Sequence, residues 1–455
     1  MSQVLTQQVE TAYRESFPTS ARLYERGRSL FPSGVTHDAR YLQPYPIYIE
    51  RAEGSKKYDV DGHQIIDYWV GHGALLLGHS HPAVVNALRR QAQRATHPGA
   101  CHELELAWGD WVHKLIRSAE RMRFTSSGTE ATLMAVRVAR IVSGKSKIVK
   151  FAGHFHGWHD VLIPAAEPPH GVSDYTTPGV TDGVIGDLVI VPPNDLEAVA
   201  RAIDEHDPAC VIHEGNGSRW GVVPVSEDYL RGLRQVTTDN DVILVLDEVV
   251  TGFRVHPGGF QGHCGITPDL TALAKVLAGG LPGGCLVGRA DLMEALAFDN
   301  RLGKKMVHPG TYNANPLSAA AGCAVLEIVS TGAPIDTANQ IAKKVRANLN
   351  ELFEQKNISW VAYGEFSAIK IHPDYDGPRP NSDSFVPFGN DYQKLDCKFD
   401  PTLSHAFRCA LLLGGVDWMG WGGSTSGAHT DDDVDCTIFA FSNAIDLLRA
   451  DGLVE

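Results

Sequence analysis

The sequence predicts an α/β protein: a large, mostly parallel sheet with helices on both faces, joined to a smaller α+β unit. Three observations carry that expectation. Short β-branched runs, KIVKF (147–151), CVIHE (210–214) and VILVLDE (242–248), read as buried strands. Helical patterns fall between them, over 129–142, 195–205 and 227–238, with Ser226 placed to cap the last. This strand–helix alternation produces parallel pairing. The two ends read differently. Residues 1–70 hold an early helix, a stretch broken at Pro32 and Gly34, and IYIERAEGSKKYDVDGHQIIDY (47–68), which alternates around Asp61-Gly62 as a hairpin or meander does. From residue 328 a second small unit is expected. It has a helix over 336–355, a strand-like FSAIKIH (366–372), a polar loop over 373–400 and a helix start at Thr430 followed by three aspartates. The expected division is 1–70, 71–327 and 328–455.

Composition narrows the function. The chain has 455 residues, with 40 Lys+Arg against 54 Asp+Glu and a formal net charge of −14. That length exceeds one ordinary core. The acidic balance argues against a nucleic-acid partner, since nothing basic would meet a phosphate backbone. No apolar run approaches the ~20 residues of a membrane helix. The start, MSQVLTQQVETAYRESF, lacks the basic-then-apolar order of a secretory signal. The eight cysteines are scattered without a C-x-x-C pair and read as reduced thiols of a cytoplasmic protein.

The chemistry begins at VILVLDEVVTGFR (242–254). An apolar strand delivers Asp247 and Glu248 at its C-terminal end, the edge where open α/β sheets bind ligands. A pair of solvated loop carboxylates is the alternative. Lys275 follows the apolar run LTALA and precedes Gly279-Gly280. A lysine enclosed there loses hydration, so its amine becomes nucleophilic. A strand-end aspartate and an enclosed lysine are what pyridoxal phosphate chemistry needs: the amine forms a Schiff base and the carboxylate keeps the pyridine nitrogen protonated. In FTSSGTEATLMAVRVAR (124–140), Ser126, Ser127, Gly128 and Thr129 form a small-residue turn before a helix. Such a turn serves as a phosphate cup or as a plain N-cap. In HPGTYNANPLSAAAG (308–322), Thr311 is a second candidate phosphate donor.

These motifs, with FHGWHD (155–160), AGGLPGG (278–284) and AHTDDDVD (428–435), resemble the class III (ω-type) pyridoxal phosphate aminotransferases, near the branch of glutamate-1-semialdehyde 2,1-aminomutase. The resemblance spans nearly the whole chain. It implies a fold-type I architecture with a sheet of the seven-stranded type, and a homodimer with shared active sites. It implies that Lys275 binds the cofactor and that Asp247 faces the pyridine nitrogen, and these two are the candidate catalytic residues. Val249 and Phe155 are implied on the two ring faces. Ser127, Gly128 and Thr129 are implied at the phosphate, with Thr311 reaching it from the neighbouring subunit. His156 and Glu214 complete the cofactor-binding candidates. Arg40 matches a substrate-carboxylate arginine, and His72 is a second substrate-binding candidate. No metal is expected.

Several residues set the chain apart within that branch. Glu214 is followed by Gly215-Asn216 rather than proline. The segment after His159 does not resemble the Gly/Ser-rich gating loop of the aminomutases. His72 replaces an aromatic, and GVDWMGWGGSTSGAHT (415–430) lacks the acidic residue presented to the substrate amine. The loop over 373–400 looks longer. Together these point to ping-pong amino transfer between an amino acid or amine donor and a keto acid or aldehyde, with the aminomutase reaction as the alternative. Two further readings belong to other classes. His154, His156 and His159, with His79 and His81, have the makings of a zinc hydrolase site. A non-enzymatic cofactor-binding regulator is the other, though no basic DNA-binding segment precedes the fold.

Overall fold

The computed structural model describes residues 7–170 and 175–455. The first six residues, on which the secretory-signal reading partly rests, and part of the segment after His159 lie outside these. The N-terminal meander is β1 (Ile49–Glu53), β2 (Lys56–Asp59) and β3 (Gln64–Asp67), all antiparallel. The middle supplies β4 (Arg121–Thr125), β5 (Ile148–Phe151), β6 (Leu188–Val191), β7 (Cys210–Glu214), the short β8 (Val223–Pro224), β9 (Ile243–Glu248), β10 (Leu270–Ala274) and β11 (Gly284–Gly288). The C-terminal part adds β12 (Val361–Tyr363), β13 (Ala368–His372), β14 (Val416–Asp417) and β15 (Gly422–Ser424).

Seven strands form the large sheet, in the order β4-β11-β10-β9-β7-β5-β6. Strand β11 is antiparallel to both neighbours, and the pairings from β10 to β6 are parallel. The period of two along each strand sends alternate residues to opposite faces. Val211, Leu244 and Leu246 pack under the helices Leu196–His206 and Glu227–Asp239, while Cys210, Ile212 and Val245 pack under Gly128–Ser143. Burial on both faces explains why these strands read as continuous apolar runs. The helices start where short polar side chains take free N–H groups: Ser127, Asp195 and Ser226 each accept from the residue three positions on.

The chain ends meet in space. Strand β14 adds in parallel to β3, so N- and C-terminal segments share a four-stranded sheet, and β12-β13-β15 form a third. A separate core of Phe353, Trp360, Phe407, Trp418 and Phe441 holds them together. Three local expectations need correction. The helix expected over 336–355 starts at Ala333, because Pro334 is tolerated in a first turn. The strand expected from Phe366 starts at Ala368, since Phe366 takes a positive φ of 51°. The loop over 373–400 contains a 3-10 turn, Pro387–Asn390, and a short helix, Tyr392–Leu395, capped by Asp391. Among the described residues no single helix is long and apolar enough to cross a membrane.

Candidate active site

Parallel pairing aligns the C-terminal strand ends. Glu214 of β7 stands in register with Asp247 of β9, and Asp247 with Ala272 of β10. Lys275 follows directly on β10. Its backbone sits in the left-handed region at φ 52°, a conformation that costs a non-glycine residue about 1 kcal/mol and recurs at functional sites.

Asp247 is buried, and its Oδ2 accepts from His156 Nδ1 at 2.7 Å while Oδ1 accepts from Val249 N at 2.9 Å. Burial pushes its carboxyl up to about 7, opposed by the Val249 N–H and by the charge of Lys275. Burial also drives His156 down to about 3, so its ring is neutral and donates through Nδ1. Lys275 is lowered to about 8 by burial, with Asp247 and Glu214 opposing and Arg254 assisting. No N···O contact within 4.0 Å joins Lys275 to Asp247: the charges feel each other without touching.

Two other lysines are also depressed, Lys150 and Lys370, each to about 7, burial being the main cause. Position separates the three amines. Lys150 is sealed at 0% exposure, and its Nζ donates to Leu162 O and Pro164 O, both at 2.7 Å. Lys370 lies on β13, outside the large sheet. Lys275 alone stands beside Asp247 with part of its surface open.

Glu214 holds the loops around the pair. Its Oε1 accepts from Phe155 N at 2.7 Å and Arg219 N at 3.0 Å, and its Oε2 from Trp220 N at 3.4 Å. Phe155 is thereby fixed with its ring 45% exposed. The turn Ser127–Thr129 lies close by. A Cβ on Gly128 would stand 2.8 Å from Val249 Cγ2, so only glycine lets the helix start come this near Val249. Gly157, at φ 98°, packs on Thr129 in the same way. The N–H groups of Gly128 and Thr129 begin a helix, where no carbonyl lies four residues back and the dipole favours an anion.

The mouth is built from distant segments. A cavity of about 450 Å³ is lined by Arg40, Lys57, Trp69, His72, His79 and Arg408 among others. Arg40 is exposed, and its Nη1 donates to Thr36 Oγ1 at 3.0 Å. His72 stacks on His37 with ring centroids 4.5 Å apart, and burial with neighbouring His37 lowers it to about 4. Thr311 is exposed in a turn and makes no hydrogen bond to the 127–129 turn among the described residues. One chain therefore gathers Lys275, Asp247, Val249, His156, Phe155, Glu214 and the 127–129 turn, sets Arg40 and His72 in the adjoining cavity, and leaves Thr311 apart.

Sequence reasoning missed two supports. Asp67 accepts from Trp69 N at 2.9 Å and Val70 N at 3.1 Å, and pairs with Lys57 and His79, both at 2.6 Å. Burial alone would raise it; Lys57 and His79 outweigh burial and hold it at about 2. It fixes the turn that carries His72. Arg254, fully buried, donates to Gly73 O at 2.7 Å, Ser367 Oγ at 3.1 Å and Thr425 O at 3.0 Å, tying that turn to the C-terminal segment. The only signal for it was its place at the end of DEVVTGFR. Glu248 also departs from a solvated-carboxylate reading: it is buried and accepts from Thr251, Phe260 and Gln261. The histidines of the zinc reading each make a contact within the protein. His154 Nδ1 accepts from Glu214 N, His159 Nε2 meets Thr132 Oγ1, His79 pairs with Asp67, and His81 caps a helix. No group of three or more metal-ligating side chains forms among the described residues.

Comparison with known proteins agrees with this geometry. The model of the class-III aminotransferase family matches residues 37–379. The glutamate-1-semialdehyde 2,1-aminomutase of Methanopyrus kandleri is 35% identical over 444 residues, covering 96% of this chain and 99% of its own. An omega-transaminase from Sphaerobacter thermophilus superposes with a TM-score of 0.85 at 29% identity, over 96% of this chain and 99% of that one. A glutamate-1-semialdehyde-aminomutase from Pseudomonas aeruginosa PAO1, also solved in complex with PMP, gives 0.84 at 25% identity, over 98% and 100%. The fold is that of the fold-type I pyridoxal phosphate transferases, and the chain belongs to the class III aminotransferase family of pyridoxal-phosphate-dependent enzymes.

Proposed function

We propose that this protein is an aminotransferase that moves an amino group between two separate small molecules, a donor amino acid or amine and an acceptor keto acid or aldehyde, by ping-pong turnover. The observation that supports this most directly is the half-buried Lys275 beside the buried Asp247–His156 pair. The cofactor fits the residues present: a side-chain-free approach at Gly128 beside Val249, a helix start suited to a dianion, an accessible Phe155, and a carboxylate held apart from the lysine. Lys275 would hold it covalently, Asp247 would meet its ring nitrogen, and Ser127, Gly128 and Thr129 would bind its phosphate. Pyridoxal phosphate supplies a carbonyl that condenses with amines and a ring that accepts electrons from the bond being broken.

The chain's own work is positioning and proton transfer. Asp247 keeps a proton at the ring nitrogen, and His156 holds the carboxylate in place from the far side. Lys275 Nζ, tuned to about 8, takes a proton from the substrate carbon and returns it as general base and acid. Arg40 captures the substrate carboxylate at the mouth, beside neutral His72. Residues 71–327 form the cofactor-binding part, with 1–70 and 328–455 closing over it.

The protein works as a homodimer in a reducing, cytoplasmic setting. Support comes from exposed apolar side chains, Trp158 at 78%, Phe298 at 86% and Tyr312 at 61%, and from exposed Thr311 beside the last. All eight cysteines are free thiols. Light scattering on purified protein tests the dimer. The internal aminomutase reaction is the second reading, favoured by the names of the curated relatives. Supplying glutamate semialdehyde with no other carbonyl compound, and then a panel of donors with pyruvate or 2-oxoglutarate, separates the two. Turnover only with a second substrate supports the transferase; turnover of the semialdehyde alone supports the mutase.

A further inference from the structure

Three segments that the sequence sets apart meet at one side chain: the stretch after Glu214, His170 of the segment after His159, and the loop over 373–400. The side chain is Asp396 of that loop, 2% exposed. Its Oδ2 accepts from His170 Nε2 at 2.8 Å, and its Oδ1 pairs with the Arg219 guanidinium. A Cβ on Gly153 would stand 2.7 Å from Asp396 Oδ2 and 3.4 Å from both His170 Nε2 and Ser218 Cβ. Glycine at φ 80° is what lets the turn before Phe155 close on this carboxylate.

The stretch that Asp396 grips is strained. Arg219 and Trp220 take positive φ in succession, 42° and 65°. Each such residue costs about 1 kcal/mol and persists only where its surroundings over-determine it. Here the C-terminal part supplies those surroundings. Lys370 Nζ donates to Arg219 O at 3.2 Å, Trp220 Nε1 to Ser424 Oγ at 3.0 Å, Tyr363 Oη to Val222 O at 2.9 Å and Asn390 Nδ2 to Pro224 O at 3.0 Å. Leu395, next to Asp396, packs with Val223 and Tyr363. Asp396 adds an ion pair to these hydrogen bonds.

The strained stretch also meets the cofactor floor. Arg219 N and Phe155 N donate to the same oxygen, Glu214 Oε1. The residue after Phe155 is His156, which donates to Asp247. Asp396 thus reaches Phe155 by two routes, through Arg219 and Glu214 and through Gly153.

We propose that Asp396 is a positioning residue of the cofactor site: it braces Arg219 and the Gly153 turn, and so fixes Phe155 against the cofactor from behind. The 373–400 loop is then a strap that holds this brace in place. The proposal rests on the aminotransferase reading, in which Phe155 lies on a face of the cofactor ring.

Release of pyridoxal phosphate from the diluted holoenzyme, followed by absorbance, tests it without turnover. Asp396→Asn should speed release about tenfold, and Arg219→Met, which breaks the pair from its half-buried side, should do the same. Arg219→Lys should return release to within about threefold of wild type. Phe155→Leu should itself release faster, and adding Asp396→Asn to it should contribute less than about twofold more, because both act on one contact. Amide exchange over 152–157 should quicken at least about tenfold in Asp396→Asn. Wild-type release from Asp396→Asn and Arg219→Met overturns the proposal, as does a fall in thermal stability with release unchanged. Full additivity with Phe155→Leu, or wild-type release from Phe155→Leu alone, overturns the route through Phe155 and leaves the aminotransferase reading intact. If the purified protein carries no cofactor, the aminotransferase reading fails; faster exchange over 152–157 in Asp396→Asn then upholds the brace, and unchanged exchange overturns it.

Discussion

The floor of the site and its mouth are built by opposite strategies. At the floor, Glu214, Asp247 and Lys275 hang from the ends of three neighbouring parallel strands, and backbone register sets their spacing. At the mouth, Arg40 comes from a turn over 300 residues away in sequence from its neighbour Arg408, and His72 sits on a turn tied down by the side chains of Asp67 and Arg254. The floor carboxylates of Glu214 and Asp247 are hydrogen-bonded within the protein, whereas at the mouth Trp69 Nε1 and Arg408 Nε are buried without a partner. On the proposed assignment, chemistry common to all substrates is fixed in the sheet. On the same assignment, discrimination between substrates is left to segments that can vary without disturbing it.

Substitutions can break that contrast at graded cost. The largest effect is expected at Lys275→Ala, which should lower kcat by about 10³-fold or more, measured by amino transfer to any accepted carbonyl compound. Wild-type turnover would remove Lys275 from the mechanism. Asp247→Asn should retain cofactor yet lose about 10²-fold in kcat; the two effects are read by absorbance and kinetics on one preparation. At the mouth, the cost should fall first on folding. Asp67 is held near 2, below the ordinary carboxylate range, so its contribution is present above about pH 4 and fades as pH falls toward 2. Asp67→Asn should therefore cost about 2 kcal/mol at neutral pH and flatten the acid limb of unfolding, followed by denaturant titration at several pH values. The smallest effect is expected at Arg40→Ala, a rise of about tenfold in KM for carboxylate substrates with cofactor content unchanged. An unaltered KM would detach Arg40 from substrate binding.

The same contrast explains what the sequence made legible. Asp247, Lys275 and the SSGTE turn could be read because each follows or precedes a continuous apolar element, so local pattern places them at a sheet edge. Strands 210–214 and 270–274 were legible for that reason. Asp67 and Lys370 could not be read this way. Both sit inside short strands whose partners come from other segments, β14 with β3 and β15 with β13, and no periodicity in one stretch reveals a pairing made with another. Lys370 within FSAIKIH reads as the exposed side of an alternating strand. Its burial follows from the large sheet covering that face. Glu248 misled in the other direction: beside Asp247 it looks solvated, yet Phe260 and Gln261 fold back over it.

Three buried amines, those of Lys150, Lys275 and Lys370, are depressed into the range where each is a competent nucleophile. Only their placement assigns the cofactor to one of them. The most direct measurement is to reduce the yellow holoenzyme with borohydride, digest it, and locate the pyridoxyl group by peptide mass spectrometry. The account predicts a single modified peptide carrying the group on Lys275. Modification of Lys150 or Lys370 instead, or a reduced protein carrying no group on any lysine, would contradict it.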